Sequence, residues 1–319
     1  MKRFLSIFAE ARFAAVLFIV LLLFTMFITP TRFSVGNIGT TLGLMTPLIL
    51  AACAATPIIL AGREGIDLSI GPLIGFINVI VVKWMILDWG IENPVFVIAI
   101  ALLAGIAGGT INGFLAVYLR IQPIVATLGT YLMLAGLATW ILPSPIGPVP
   151  PWLAALSENY SVLPLIAVAM LWLLIKRLPL HGLIMTIGGD DRAAYSSGVN
   201  VNLVRFLSYV ISGVIAAVAA ISLTALLGSA DAQVGPNYTL LAIAAAALGG
   251  VSLAGGKGGM TGAALGAIDI FLLQNLITHF NVSSFFLQIS YGLVLVVAVS
   301  LNSERISNYL SFKKEPTNA

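Results

Sequence analysis

Apolar runs free of charge, each near or above the ~20 residues that cross a bilayer, recur from one end of this chain to the other without a long polar tract between them. That pattern leaves little choice of fold. Inside hydrocarbon every backbone N–H and C=O must be satisfied within the protein, so apolar runs of this length are read as helices. Only 8% of the residues are charged and 60% are hydrophobic, against about a quarter charged in a soluble domain. The chain reads as all-α and polytopic, a single membrane domain over residues 1–319 with no room for a second folded unit.

Hydropathy places ten spans, near 13–31, 36–61, 68–82, 94–119, 122–142, 161–175, 206–227, 239–255, 260–278 and 285–301. Pro47, Pro57 and Gly62 allow the second and third to be one broken or re-entrant unit instead. The distribution of basic residues is an independent check. With ten spans and the N-terminus inside, Lys2, Arg3, Arg12, Arg63, Arg120, Lys176, Arg177, Arg192, Arg205, Lys257, Arg305, Lys313 and Lys314 lie at inner ends. Only Arg32 and Lys83 lie outside, so both termini are expected in the cytoplasm, the C-terminal tail at 302–319. The first apolar run ends in Thr29-Pro30-Thr31 without a small-x-small cleavage site and is read as a retained span. Cys53, the single cysteine, lies within an apolar run and reads as packing.

Small residues at Gly105, Gly109 and Gly113, and at Gly262 and Gly266, line single helix faces, a pattern that lets backbones approach closely. Intramolecular packing is the expected use.

The longest polar stretch is Lys176 to Arg205. Within it Asp190 is a good N-cap, Asp191 adds negative charge to a first turn, Arg192-Ala193-Ala194-Tyr195-Ser196 continues the helix, and Gly198 is placed to stop it. A helix of about two turns outside the membrane, tied covalently to spans on both sides, suits the transmission of force from a soluble partner. An ordinary surface loop is the other reading.

Four ordered segments carry a resemblance. Gly65-Ile66-Asp67-Leu68-Ser69-Ile70-Gly71 is similar to a Gly-Ile-Asp-Leu-Ser-Val-Gly signature, and Ile121 to Thr130 matches the span after the fourth helix. The run from Ile187 to Ala220 resembles a cytoplasmic loop and span, and Leu248-Gly249-Gly250-Val251-Ser252-Leu253-Ala254-Gly255-Gly256-Lys257-Gly258 resembles a Gly-Gly-Thr-Ser-Leu-x-Gly-Gly-Arg-Gly segment. All belong to the ribose-type permeases of ATP-binding-cassette importers, and the similarity covers about residues 40–301. Departures are Arg63-Glu64 before Gly65, and Asp191 and Arg192 where the family has Pro and an acid.

The resemblance implies a transport subunit rather than an enzyme. Two such chains, identical or paired with a relative, would form the pathway for a monosaccharide or similar small polar solute across a bacterial cytoplasmic (inner) membrane. A cytoplasmic ABC ATPase holding ATP and Mg would supply the energy, an extracytoplasmic solute-binding protein would deliver the solute, and no nucleic acid is involved. The coupling residues would be Gly189 to Ser196 with Gly198. The signature turns would be formed by Gly65, Asp67, Ser69, Gly71, Gly250, Ser252, Gly255, Gly256 and Lys257.

Read without the family, Gly62, Gly65, Gly255, Gly256, Gly258 and Gly259 allow tight turns where spans meet the cytoplasm, and Asp67 reads as a helix cap. Leu60-Ala61-Gly62-x-x-Gly65 echoes Leu253-Ala254-Gly255-x-x-Gly258, which hints at a parallel internal repeat. The glycine-rich run is not a phosphate loop, because Val251 stands at the first Gly position and Gly258 follows Lys257.

Asp269 is the clearest ionisable group inside a span, a functional candidate by default. With Asn112, Gln274 and Asn275 it makes a candidate solute path, although pairing with a neighbouring helix explains it too. Asn78, Thr130 and Gln288 are weaker candidates of the same kind. An ion-driven secondary transporter is the alternative function, but it calls for several intramembrane charges. A membrane-embedded enzyme needs a catalytic cluster, yet His181 and His279 are placed on opposite sides and no Cys/His metal spacing exists.

Overall fold

The computed structural model describes residues 12–34, 36–63 and 65–280, with positions 286, 289, 292, 293 and 296 beyond them. Most of the expected tenth span, with Gln288, the C-terminal tail, Glu64, Lys2, Arg3, Arg305, Lys313 and Lys314, lies outside the described residues.

Helix α1 (Arg12–Ile28) is followed by α2 (Ile38–Leu60) and α3 (Ile70–Val79), which runs on as a π-helix over Ile80–Asp88. Helix α4 (Pro94–Gly113), continued by a π-turn over Phe114–Tyr118, and α5 (Pro123–Ile141) come next. Both open on proline at the first turn, where the missing N–H costs nothing. Short α6 (Pro151–Ala154) and α7 (Val162–Arg177) belong to two apolar stretches bent by 75°. Then follow α8 (Pro179–Gly189), α9 (Asp191–Ser196), α10 (Val201–Leu227), α11 (Tyr238–Leu248) and α12 (Met260–His279).

Among the described residues, six helices are long and apolar enough to cross a membrane, or seven if the bent pair is one span. Helices α2 and α3 are separate, and each, α3 with its π continuation, is long and apolar enough to cross a membrane. Pro47 and Pro57 stand inside α2 without ending it. That helix is buried from Met45 to Leu60, and its neighbours hold it where an isolated helix would break. The expected 239–255 span shrinks to the 11 residues of α11, about 17 Å at 1.5 Å per residue, because Gly249-Gly250 ends the helix with Gly250 at φ +86°. Hydropathy could not separate the apolar loop Val251–Ala254 from the helix before it.

Helix α10 lies at the centre, packed on α4, α2 and α3, while α12 packs on α11, α2 and α1. The small-residue faces are what let these pairs close. A side chain at Gly109 would strike the Tyr209 backbone of α10, and one at Gly266 would strike Ala245 of α11. The packing is intramolecular, as expected. Helices α4 and α5 present Phe96, Leu103, Ile111, Leu132, Met133 and Trp140 outward, an apolar surface suited to lipid.

Candidate functional site: a glycine junction beneath a short capped helix

Three chain segments far apart in sequence end against one another. Leu60 closes α2, and Gly62 follows it at φ +72°. Gly188 and Gly189 close α8. Gly255 and Gly256 lie in the α11–α12 loop at φ +99° and +68°, which side-chain-bearing residues rarely adopt. The Gly256 N–H donates to the Leu60 carbonyl at 3.0 Å. A Cβ on Gly62 would lie 2.8 Å from the Gly188 Cα, and one on Gly188 would meet the Leu60 carbonyl and the Gly256 nitrogen. Backbone touches backbone here, and no side chain fits between.

Gly65 closes a tight turn as expected, its N–H donating to the Gly62 carbonyl at 3.2 Å, whereas Gly259 does not. Neither has a positive φ; Gly65 is needed because a Cβ there would lie 2.6 Å from the Ile58 carbonyl, while Gly259 is extended, with no atom near its missing side chain. The two echoing segments, 60–65 and 253–258, meet at Gly62 and Gly255.

Directly after the junction the chain enters α9. The Asp190 carboxylate accepts from the backbone N–H groups of Arg192 and Ala193, both at 3.0 Å, as a good N-cap does. Gly198, at φ +84°, ends the turn. Asp191 accepts from the Arg205 guanidinium of α10 at 3.0 Å. That hydrogen bond, with the charges of Arg205, Arg63 and Arg192, holds the Asp191 carboxyl below the usual range against the opposing effect of its partial burial. Ala194 is buried on the protein side, whereas Arg192, Ala193, Tyr195 and Ser196 face outward, Tyr195 with 75% of its surface exposed. Sequence reasoning found α9 but not α8. The latter is amphipathic enough to bury Ile184 and Ile187, but its leading proline and glycine-rich end read as loop.

The Asp67 turn is a second polar assembly. Asp67 lies two residues before the cap position of α3, so it is not the helix cap expected. Its Oδ1 accepts from the backbone N–H and hydroxyl of Ser69, both at 2.7 Å, closing a local turn. The Asn112 amide of α4 donates to Asp67 Oδ2 at 3.2 Å and to Ser69 Oγ at 2.6 Å, and Thr130 of α5 donates to Asn112 Oδ1 at 2.7 Å. Leu68 is gripped from both sides: its N–H donates to Thr127, and its carbonyl accepts from Thr239 of α11. Thr127 and Thr239 were not singled out in the sequence. Thr127 and Thr130, three apart on α5, were legible as one polar helix face.

The candidate solute-path residues do not form one cluster. Asn112 is buried with its amide committed to the Asp67 turn. Asp269, Gln274 and Asn275 lie on α12, against α11, α2 and α1. Asp269 is buried, and neither carboxylate oxygen finds a hydrogen-bond partner among the described residues. Gln274 and Asn275 are half-buried. Asn78 brackets the α10 end, donating to Thr224 Oγ1 and the Ser229 carbonyl and accepting from the Asp231 N–H.

Residues 37–299 match a family described as the permease component of a branched-chain amino acid transport system. The chain belongs to this permease family. Individual relatives are sugar permeases. The ribose import permease RbsC of Haemophilus influenzae is 32% identical, with 93% of this chain and 92% of that protein aligned. The galactose/methyl galactoside import permease MglC of Escherichia coli is 31% identical over 95% and 96%. No solved structure matches the chain. All four sequence segments that carried the resemblance fall inside the matched region. In this permease the glycine junction unites two of them, and the Asp67 turn unites the other two.

Proposed function

We propose that this permease is the membrane subunit of an ATP-binding-cassette importer that moves a monosaccharide or a similar small polar solute across a bacterial inner membrane. The observation that carries the mechanism is the seating of α9. A capped, outward-facing helix is joined through Gly188 and Gly189 to the ends of α2 and the α11–α12 loop, and through Asp191 to α10. A displacement of α9 by a cytoplasmic ATPase would reach three membrane elements at once. ATP and Mg belong to that ATPase; Gly189, Asp190, Arg192, Ala193, Tyr195, Ser196 and Gly198 form the part that meets it.

The names of the relatives, ribose and galactose permeases, support the solute class. An extracytoplasmic binding protein delivers the solute, and a second permease chain completes the pathway. Ten spans with both termini inside remain the preferred topology. The six long helices, the bent pair, α1 and α11 supply nine apolar elements in the expected order. Arg63, Arg120 and Arg205 all line one cavity, as residues assigned to the same side should.

ATP-dependent uptake of labelled ribose and galactose into proteoliposomes holding the permease, its ATPase and its binding protein tests the reading. Saturable uptake of either sugar, abolished without ATP, is expected. Uptake driven by an ion gradient alone would replace this proposal with secondary transport.

A further inference from the structure

Next to the glycine junction, with Gly62 in its wall, a cavity of about 620 Å³ opens between the end of α2, the end of α4, the start of α5 and the start of α10. Its charged lining residues are Arg63, Arg120 and Arg205, and among the described residues no carboxylate lines it. Gln122 and Ser208 add uncharged polar groups.

Two features mark these arginines as more than positive-inside decoration. Among the described residues, Arg63 and Arg120 are the non-glycine residues with positive φ, at +53° and +57°. That conformation costs an L-residue roughly 1–2 kcal/mol, and glycine or asparagine would relieve the strain. Both guanidinium-bearing residues nevertheless stand in strained turns around one cavity, the kind of backbone expense found at ligand sites. The second feature is independent. Arg205 and Tyr209 are both more than nine-tenths buried and both line the cavity, yet among the described residues the Arg205 Nε and the Tyr209 hydroxyl have no hydrogen-bond partner. Buried donors left open in this way call for an acceptor.

We propose that this cavity binds a phosphate-class anion from the cytoplasmic side. Three guanidinium groups, each a planar fork of donors, supply charge matched to the oxygens of a phosphate group. The cytoplasmic location rests on the topology proposed above; the chemistry does not. Arg205 is shared, since its other nitrogen holds Asp191 of α9 at 3.0 Å. Anion binding and the position of α9 are therefore linked, and by reciprocity each alters the other. Two sources carry this chemistry: a free phosphate ester, such as a phosphorylated sugar, and the headgroup of an anionic lipid.

Titration calorimetry on the full chain in nanodiscs is the test, using inorganic phosphate and a hexose phosphate as probes and the neutral hexose as control. In phosphatidylcholine nanodiscs, saturable binding of a phosphate probe is expected, weakened about tenfold by Arg63→Gln and again by Arg120→Gln, the loss expected for a charge-assisted hydrogen bond. Asp191→Asn, which frees Arg205, is expected to tighten it. In nanodiscs containing phosphatidylglycerol, loss of probe binding in the wild type, together with release of the lipid by Arg63→Gln, would assign the site to the headgroup. The idea is overturned if neither phosphate nor phosphatidylglycerol binds above the neutral hexose, or if both arginine variants bind as the wild type does while keeping its unfolding temperature. Binding needs no ATPase, so failure here leaves the transport reading standing.

Discussion

Asp67 is an acid in an apolar surrounding, and the chain accommodates it by surrounding one carboxylate with donors from Ser69 and Asn112. Truncating a buried donor leaves its acceptor unsatisfied, a cost of about 1–3 kcal/mol. Asn112→Ala is therefore expected to lower the thermal unfolding midpoint in detergent, because it leaves Asp67 Oδ2 without its donor. An unchanged midpoint would mean that the turn is held by something else. The sequence marked Asp67 and Asn112 as unusual but could not pair them, since 45 positions separate them and their meeting depends on how α4 lies against the turn. Asn112 was expected beside a solute for that reason. Asp269 is the opposite case, an acid with no donor among the described residues. As a pathway group it predicts that Asp269→Asn raises the KM for uptake with little change in unfolding temperature; an unaltered KM would leave it a packing residue.

At the level of elements, α9 was legible because caps and stops are local: Asp190, Asp191 and Gly198 act within one or two turns. Removing the cap with Asp190→Ala should cost about 1 kcal/mol of helix stability, seen as faster amide exchange in 191–196. The Asp191 to Arg205 pair adds a pH dependence with a definite sign. The folded carboxyl is held below its usual value, so the stabilisation is fully present above about pH 4 and is lost as pH falls through the lowered value. Exchange in α9 should thus be insensitive to protonation of this group from pH 6 to 8 and rise only under acid; a transition near neutrality would contradict the pairing. The glycine junction was not legible as a junction. Each glycine was visible, but sequence gives no reason why Gly188 must lie on Leu60 and Gly256. Gly188→Ala is expected to separate α8 from α2 and to abolish transport, even where the protein still reaches the membrane.

Over the whole molecule, composition settled the environment, and hydropathy settled most helices, because the bilayer imposes length and polarity on each one. Where hydropathy erred, at α11, a glycine pair stopped the helix inside a continuous apolar run. The resemblance located the family and marked the segment proposed for coupling, while the way the segments meet came only with the fold. The central claim is that α9 is where an ATPase grips this permease, with Tyr195 as its exposed aromatic side chain. Its most direct test is affinity purification of the tagged chain from its native membrane in mild detergent, with bound proteins identified by mass spectrometry. The wild type should bring down an ATP-binding-cassette ATPase, and Tyr195→Ala or a joint change of Asp190, Asp191 and Arg192 should lose it while the permease remains folded. Recovery of the ATPase undiminished in both variants, or no ATPase at all where a control importer keeps its own, would contradict the account.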